Sequence, residues 1–289
     1  MSDHKTNYSQ SSKIALENDK SSFTVAAIQM ASGPTVDANL EEASRHIEEA
    51  VSHGAKLVVL PEYFCLMGMK DTDKLVVMED PGNGPIQRFL SETAKRLGIW
   101  LVGGSVPLAS PDPDKVYNSC LVYADNGALM ARYDKIHLFG LSMEHERYAE
   151  EKTITAGNEV VVLDSPFGRI GLSICYDLRF PELYRKMEDV DIILAPAAFT
   201  AVTGKAHWEI LVRARAIENQ AYVIAPAQGG YHVNGRETHG DSMVVDPWGV
   251  ILKRLQRGTG AVVADIDPKY LSRVRSSLPA LKHRRLKCS

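Results

Sequence analysis

Three side chains of types that can run acyl chemistry stand at, or just past, the ends of apolar runs. Cys175 closes the run Ile170-Gly-Leu-Ser-Ile174, and Pro181-Glu182 shortly beyond it reads as the first turn of a helix. A thiol where a strand hands over to a helix meets backbone N–H groups and a positive helix N-terminus, which favour the thiolate and can hold an oxyanion. Glu62 follows the run Leu57-Val-Val-Leu60-Pro61, and Lys135 ends the run after the turn Asp125-Asn126-Gly127. Each has a plainer reading: a small buried hydrophobe for Cys175, a surface or capping carboxylate for Glu62, a solvated strand terminus for Lys135. Their common placement says more than any one of them, because parallel strands that end on one edge of a sheet bring such groups together.

The elements that must position them follow from periodicity. Residues 23–30 read as a strand, and Leu40, Ala43, Ile47, Ala50 and Val51 then fall on one face of a helix closed by Gly54. A strand over 56–60 completes a βαβ unit and favours parallel pairing. A second helix spans 85–97, between Pro85 and a stop at Gly98, and residues 99–106 read as one strand. Strands over 116–123 and 128–135 flank the Asp-Asn-Gly turn. The charged loop 136–158 is long enough to carry short elements and border a site. Strands over 160–163, 169–174, 191–195, 221–226, 241–245, 250–255 and 261–266 follow, with a helix over 205–218 and a short helix opening at Pro268.

Composition bounds the rest. The chain has 289 residues, 45% of them hydrophobic and 24% charged, which is ordinary for one large α/β domain. A net charge of −3 gives no electrostatic case for nucleic acid or an anionic membrane. No segment has the apolar length of a bilayer span, and no signal-peptide core is present. Cys65, Cys120, Cys175 and Cys288 form no CxxC pair, so free thiols in a reducing cytoplasm are expected, without a zinc site. Residues 1–22 are polar and are expected to be a disordered leader. Residues 23–289 are expected to form a single domain, without cofactor or metal. The basic stretch His283-Arg-Arg-Leu-Lys287 reads as a solvated or interface segment.

Taken in order, Leu60-Pro61-Glu62, Lys135-Ile-His137 and Cys175-Tyr-Asp-Leu-Arg-Phe-Pro-Glu182 resemble the three signature blocks of the nitrilase superfamily of carbon–nitrogen hydrolases. The resemblance runs from about Phe23 to Leu286. It implies an α/β four-layer α-β-β-α sandwich that pairs into dimers or larger homo-oligomers, with the tail over 268–289 at the interface. It also implies roles. Glu62 takes the thiol proton and later activates water, Cys175 forms a thioester, and the Lys135 ammonium with the Tyr176 backbone N–H holds the oxyanion. Glu150, with Glu151 beside it, matches a second glutamate that family members place near the lysine.

The residues after the cysteine sort the branches. Tyr176-Asp-Leu-Arg179-Phe180 is similar to amidases of small dicarboxylate amides, in which the matching arginine grips a substrate carboxylate. The plain alternative for Arg179 is a structural ion pair. Phe199 and Thr200 are expected to line the pocket, and His207 and Trp208 to pack rather than catalyse. The wording Arg213-Ala-Arg-Ala-Ile-Glu218 resembles the branch that hydrolyses deaminated glutathione, although Lys205 and Gly240-Asp241 stand where branch members usually show a proline and a Gly-His pair. The resemblance therefore implies a thiol amidase, most plausibly one converting deaminated glutathione to 2-oxoglutarate and cysteinylglycine. The alternatives are an ω-amidase on 2-oxoglutaramate or succinamate, a nitrilase or carbamoyl-amide hydrolase, and a homologue that binds without turnover.

Overall fold

The computed structural model describes residues 21–143 and 147–286. The leader expected over 1–22 therefore lies outside the described residues, apart from the exposed Ser21 and Ser22, and so does Cys288. The chain runs from β1 (Phe23–Gln29) through α1 (Val36–Ser52), β2 (Leu57–Val59), α2 (Asp73–Val76), α3 (Pro85–Leu97), β3 (Trp100–Val102), β4 (Val106–Ala109) and β5 (Val116–Tyr123) to β6 (Leu129–Asp134). A hairpin of β7 (Gly140–Ser142) and β8 (Arg147–Ala149) follows. The second half carries β9 (Val162–Ser165), β10 (Gly168–Leu172), α4 (Pro181–Lys186), β11 (Ile192–Leu194), α5 (Ala201–Asn219) and β12 (Tyr222–Ala225). The hairpin β13 (Gly229–Tyr231) and β14 (Glu237–His239) precedes β15 (Ser242–Val245), β16 (Ile251–Leu255), β17 (Gly260–Ile266) and α6 (Pro268–Ser277).

Two sheets result. In the first, β1, β2 and β3 are parallel, β17 returns antiparallel to β1, and β5 pairs antiparallel with β3 and β4 on one side and β6 on the other. In the second, the order is β16-β15-β12-β11-β10-β9, with β10, β11 and β12 parallel at its centre. Strand alternation then assigns faces. Ala26, Ile28, Val58, Leu60 and Leu121 pack with Ile47 of α1 and Ile86 and Leu90 of α3. Their neighbours Val25, Ala27, Leu57, Val59 and Val122 turn the other way and join Ile170, Leu172 and Ile193 of the second sheet. Trp208, Val212 and Ala216 of α5 cover that sheet's far side. The order of layers is helix, sheet, sheet, helix, and each fully buried Val, Leu or Ile in it stabilises by roughly 1.5–3 kcal/mol.

The strand expected over 99–106 is instead two strands. Gly103 and Gly104 break it, and Gly104 (φ +42°) packs so tightly on Leu60 and Pro61 that a Cβ would overlap the Pro61 carbonyl. The helix expected over 205–218 starts earlier, at Ala201, because Thr200 Oγ1 caps it by accepting from the Thr203 N–H at 3.3 Å. The loop 136–158 contains the β7–β8 hairpin and a 3₁₀ turn at Glu150–Lys152. The β13–β14 hairpin was not expected; its strands are three residues long and carry no apolar alternation.

Strand direction places the chemistry. β6 is antiparallel to β5, which is antiparallel to β3, so β6 runs with β2 and β3 and delivers Lys135 to the edge where β2 delivers Glu62. Across the sandwich, β10 delivers Cys175 there too.

Candidate active site

Glu62 and Cys175 each stand at a turn that the backbone adopts at a cost. Tyr63 has φ +57° and Cys175 φ +51°, in the left-handed region that costs a residue with a side chain on the order of 1–3 kcal/mol. Both turns are pinned. The Tyr63 N–H donates to Ser105 Oγ at 2.9 Å, and Gln228 Nε2 donates to the Glu62 carbonyl at 3.0 Å. The Cys175 N–H donates to the Pro196 carbonyl at 2.9 Å, which ties the nucleophile's turn to the end of β11. Asp177, fully buried, accepts from the Ile174 N–H at 2.8 Å, Tyr133 Oη at 2.7 Å and the His137 N–H at 3.1 Å. One carboxylate thus joins the Cys175 turn to the segment that carries Lys135.

Lys135 is wholly buried, and its ammonium donates to Glu62 Oε1 at 2.9 Å and to Glu150 Oε2 and Oε1 at 2.8 and 3.0 Å. Glu62 Oε1 also accepts from Asn118 Nδ2 at 3.0 Å. Glu150 accepts from the Phe139 N–H and from Tyr63 Oη, each at 2.7 Å, so every oxygen of this buried group is occupied. Glu151 is exposed and takes no part. Cys175 is 7% exposed and lines the cleft together with Glu62 and Ala198.

Burial sets the proton inventory. It pushes the Cys175 thiol well up, the Glu62 carboxylate adds to this, and Lys135 only partly opposes it. The helix end expected to favour thiolate is thus overridden by desolvation and by an adjacent anion. Glu62 is likewise raised by burial, with Lys135 pulling the other way. Burial works against the Lys135 ammonium, yet Glu150 and Glu62 overcome it and hold Lys135 well above the usual amine range. Glu150 is lowered, because the Lys135 ammonium and its hydrogen bonds outweigh burial. The resting site holds a neutral thiol beside a carboxylate poised to take its proton, an ammonium, and a second carboxylate that keeps that ammonium charged.

The thiol faces a cleft with two arms. One is lined by Cys175, Phe139, Arg179, Phe199, Thr200 and Thr203. There the Arg179 guanidinium sits 5.4 Å from the Phe199 ring centroid and 5.7 Å from that of Tyr176, with both terminal nitrogens 3.3 Å from His207 Nδ1. Among the described residues no carboxylate pairs with Arg179, so the structural ion pair open from sequence is not formed. The other arm shares Cys175 and Thr200 and adds Lys74, Arg236, Met67 and Tyr148. Among the described residues no group of three or more His, Cys, Asp and Glu side chains is placed to hold a metal ion.

The carbon–nitrogen hydrolase profile matches residues 24–276. The chain belongs to the carbon–nitrogen hydrolase family. It is 44% identical over 268 residues to the deaminated glutathione amidase of Synechocystis sp. (strain PCC 6803 / GT-S), covering 91% of this chain and 98% of that one. It is 37% identical to omega-amidase NIT2 of Danio rerio, over 92% of this chain and 95% of the relative. Among solved structures, the NitFhit protein of C. elegans superposes with a TM-score of 0.85 at 38% identity, over 91% of this chain and 65% of that longer chain. The four-layer sandwich is therefore shared with solved relatives.

In this carbon–nitrogen hydrolase the structure brings together Glu62, Lys135, Glu150 and Cys175, and sets Arg179, Phe199 and Thr200 along one arm beside them. Trp208 packs fully buried, its indole N–H donating to the Asp241 carbonyl at 2.8 Å, whereas His207 is exposed and touches Arg179. Sequence reasoning missed Asn118, Tyr63, Asp177, Ala198, Lys74 and Arg236. Asn118 had a signal, a polar residue inside the apolar run 116–123, where burial demands a partner. Lys74 and Arg236 had none: they lie on a short helix and beside a short hairpin far apart in sequence.

Proposed function

We propose that this chain is a metal-independent thiol amidase of small 2-oxo-dicarboxylate amides, most closely suited to deaminated glutathione, which it cleaves to 2-oxoglutarate and cysteinylglycine. Glu62 takes the Cys175 proton as sulfur attacks the amide carbon, and the oxyanion forms beside the Lys135 ammonium and the Tyr176 N–H. The Glu62 proton passes to the nitrogen as the C–N bond breaks, leaving a thioester and a free amine. Glu62 then takes a proton from water, whose oxygen attacks the thioester, and the departing sulfur recovers that proton. Glu150 holds Lys135 charged throughout. The observation that carries the substrate class is Arg179, a guanidinium beside the thiol that no carboxylate of the described residues pairs with. Its planar fork suits a substrate carboxylate, with Phe199 and Thr200 walling the arm.

A second reading, an ω-amidase releasing ammonia from 2-oxoglutaramate or succinamate, draws support from the Danio rerio relative. The two share the acyl half and differ in the leaving group. A hydrolysis panel of deaminated glutathione, 2-oxoglutaramate, a carbamoyl amine and a simple nitrile tests both. The amidase reading expects turnover of the first two and a thioester adduct on Cys175 by mass; turnover confined to the last two would refute it.

We further propose a homodimer or larger homo-oligomer in the cytoplasm. Val202, Ile210 and Ile217 on α5, with Trp248 and Val250, are at least half exposed, an apolar stretch that a second copy would cover. In this proposal the tail over 268–289 contributes to that interface. Among the described residues no helix is long and apolar enough to cross a membrane, and Cys65 and Cys120 are buried free thiols, which suits a reducing compartment.

A further inference from the structure

Cations stand on both arms of the cleft, with the thiol between them. Arg179 lies at one end, and Lys74 and Arg236 lie on the arm that leaves Cys175 in the other sense. A planar amide attacked by sulfur sends its acyl half and its amine half in opposite directions from the reacting carbon. If Arg179 holds the acyl carboxylate, the amine half enters the Lys74–Arg236 arm.

That arm is lined by two cations and four carboxylates, yet the pairings leave donors of both cations unused. Lys74 is half-buried, and among the described residues its ammonium has one hydrogen-bond partner, the neutral Thr153 Oγ1 at 3.1 Å, with the Tyr63 ring centroid 5.8 Å away. Among the described residues no carboxylate lies within ion-pair distance of it. Burial lowers its pKa, which the Glu150 and Asp71 charges oppose from further off. Arg236 lies 5.3 Å from the Tyr148 ring centroid and pairs through one nitrogen with the exposed Asp71, while its other terminal nitrogen meets, among the described residues, the Met67 sulfur at 4.0 Å. Of the arm's other acids, Glu62 and Glu150 are held by Lys135, and Glu237 is exposed at the mouth.

We propose that Lys74, assisted by Arg236, forms a second anion subsite that binds a carboxylate on the leaving amine, so that the favoured substrate is an amide whose two halves each end in a carboxylate. This rests on the amidase reading above and deepens it, since ammonia would leave the subsite empty and a dipeptide acid would fill it. It selects between the two substrate readings by the leaving group rather than by the acyl half.

The test uses the full chain and three amides of one acyl group: 2-oxoglutaramate, deaminated glutathione, and deaminated glutathione with its C-terminal carboxylate replaced by a carboxamide. In the wild type the acid is expected to exceed its carboxamide in kcat/KM by about 10- to 30-fold, the lower part of a charge-assisted contact because the arm opens to solvent. Lys74→Met keeps the apolar stem and should bring that ratio towards one, chiefly through KM, and Lys74→Arg should restore it. Equal wild-type rates for acid and carboxamide would overturn the subsite, as would a Lys74→Met loss shared equally by both. Those results leave the amidase reading standing, because the carboxamide and 2-oxoglutaramate are still cleaved. Failure to cleave any of the three would instead end both.

Discussion

Replacing Arg179 separates substrate recognition from loop support. Its guanidinium is half-buried between the Phe199 and Tyr176 rings, within 3.3 Å of His207, and free of any carboxylate among the described residues. A charge-assisted contact contributes about 1.5–3 kcal/mol, and partial exposure places this one near 2 kcal/mol, or about 30-fold in kcat/KM. Arg179→Ala also removes the packing between two rings, a loss that every substrate feels. The measurement is therefore a cycle: wild type and Arg179→Ala, each on 2-oxoglutaramate and on an analogue with the distal carboxylate replaced by a neutral group. The coupling between the guanidinium and the substrate carboxylate is expected at about 2 kcal/mol. Arg179→Lys keeps the charge without the fork, and should recover part of the acidic substrate's rate while KM stays raised. A coupling under about 0.5 kcal/mol, with equal losses for acidic and neutral substrates, would refute the reasoning and leave Arg179 as a prop for the Cys175 turn.

Cys175→Ala and Cys175→Ser should abolish turnover and the thioester adduct with little change in the unfolding midpoint, since a hydroxyl is a far poorer nucleophile here. Glu62→Gln should cost about 10² to 10⁴ in kcat. Because burial raises Glu62, its base form is lost as pH falls through a value above the ordinary carboxylate range; Asn118→Leu, which removes a donor to the carboxylate, should move the acid limb of kcat/KM upward. Asp177→Asn should destabilise by about 2–3 kcal/mol in chemical unfolding and lower kcat, since it weakens the tie between the Cys175 and Lys135 segments. His232 is buried against the Ser32 carbonyl and Thr238 Oγ1, and burial lowers its pKa from 6.5, so the unfolded chain takes up this proton first as pH falls. Its share of stability should decline below about pH 6.5, and His232→Gln should flatten that part of the pH–stability curve.

What could be read without coordinates was whatever local pattern dictates. The helix over 85–97 agrees at both ends with α3, because Pro85 and Gly98 fix the termini by backbone geometry alone. Glu62, Lys135 and Cys175 were legible as strand-end groups, and only the family resemblance gave them roles and picked out Glu150. The Asp-Asn-Gly turn made β6 antiparallel to β5, but one sequence does not show that β5 is antiparallel to β3, which is what sets β6 running with β2 and lets Lys135 reach Glu62. The broken strand at Gly103-Gly104 was misread because a glycine pair in an apolar run is compatible with a strand until the Pro61 carbonyl is seen against Gly104.

The proton inventory was illegible for a deeper reason. From sequence, a cysteine at a helix start reads as a thiolate; in the fold, desolvation outweighs that dipole and an adjacent carboxylate adds to it, so the thiol stays neutral. That reversal has mechanistic use. A free thiolate beside Glu62 would be two like charges in one buried space, and a pair that shares one proton carries a single negative charge until a substrate carbonyl offers somewhere for it to go. Lys135 can receive that charge only while it remains an ammonium, and in a buried site it does so because Glu150 is there. On the proposed mechanism Glu150 acts through Lys135, which makes its removal a test of electrostatics rather than of contact. Glu150→Gln keeps the shape and the Tyr63 and Phe139 donors in reach, and a fall in kcat with little change in KM is the expected result. A rise in KM alone would mean that Glu150 orders the cleft wall and leaves the Lys135 charge untouched.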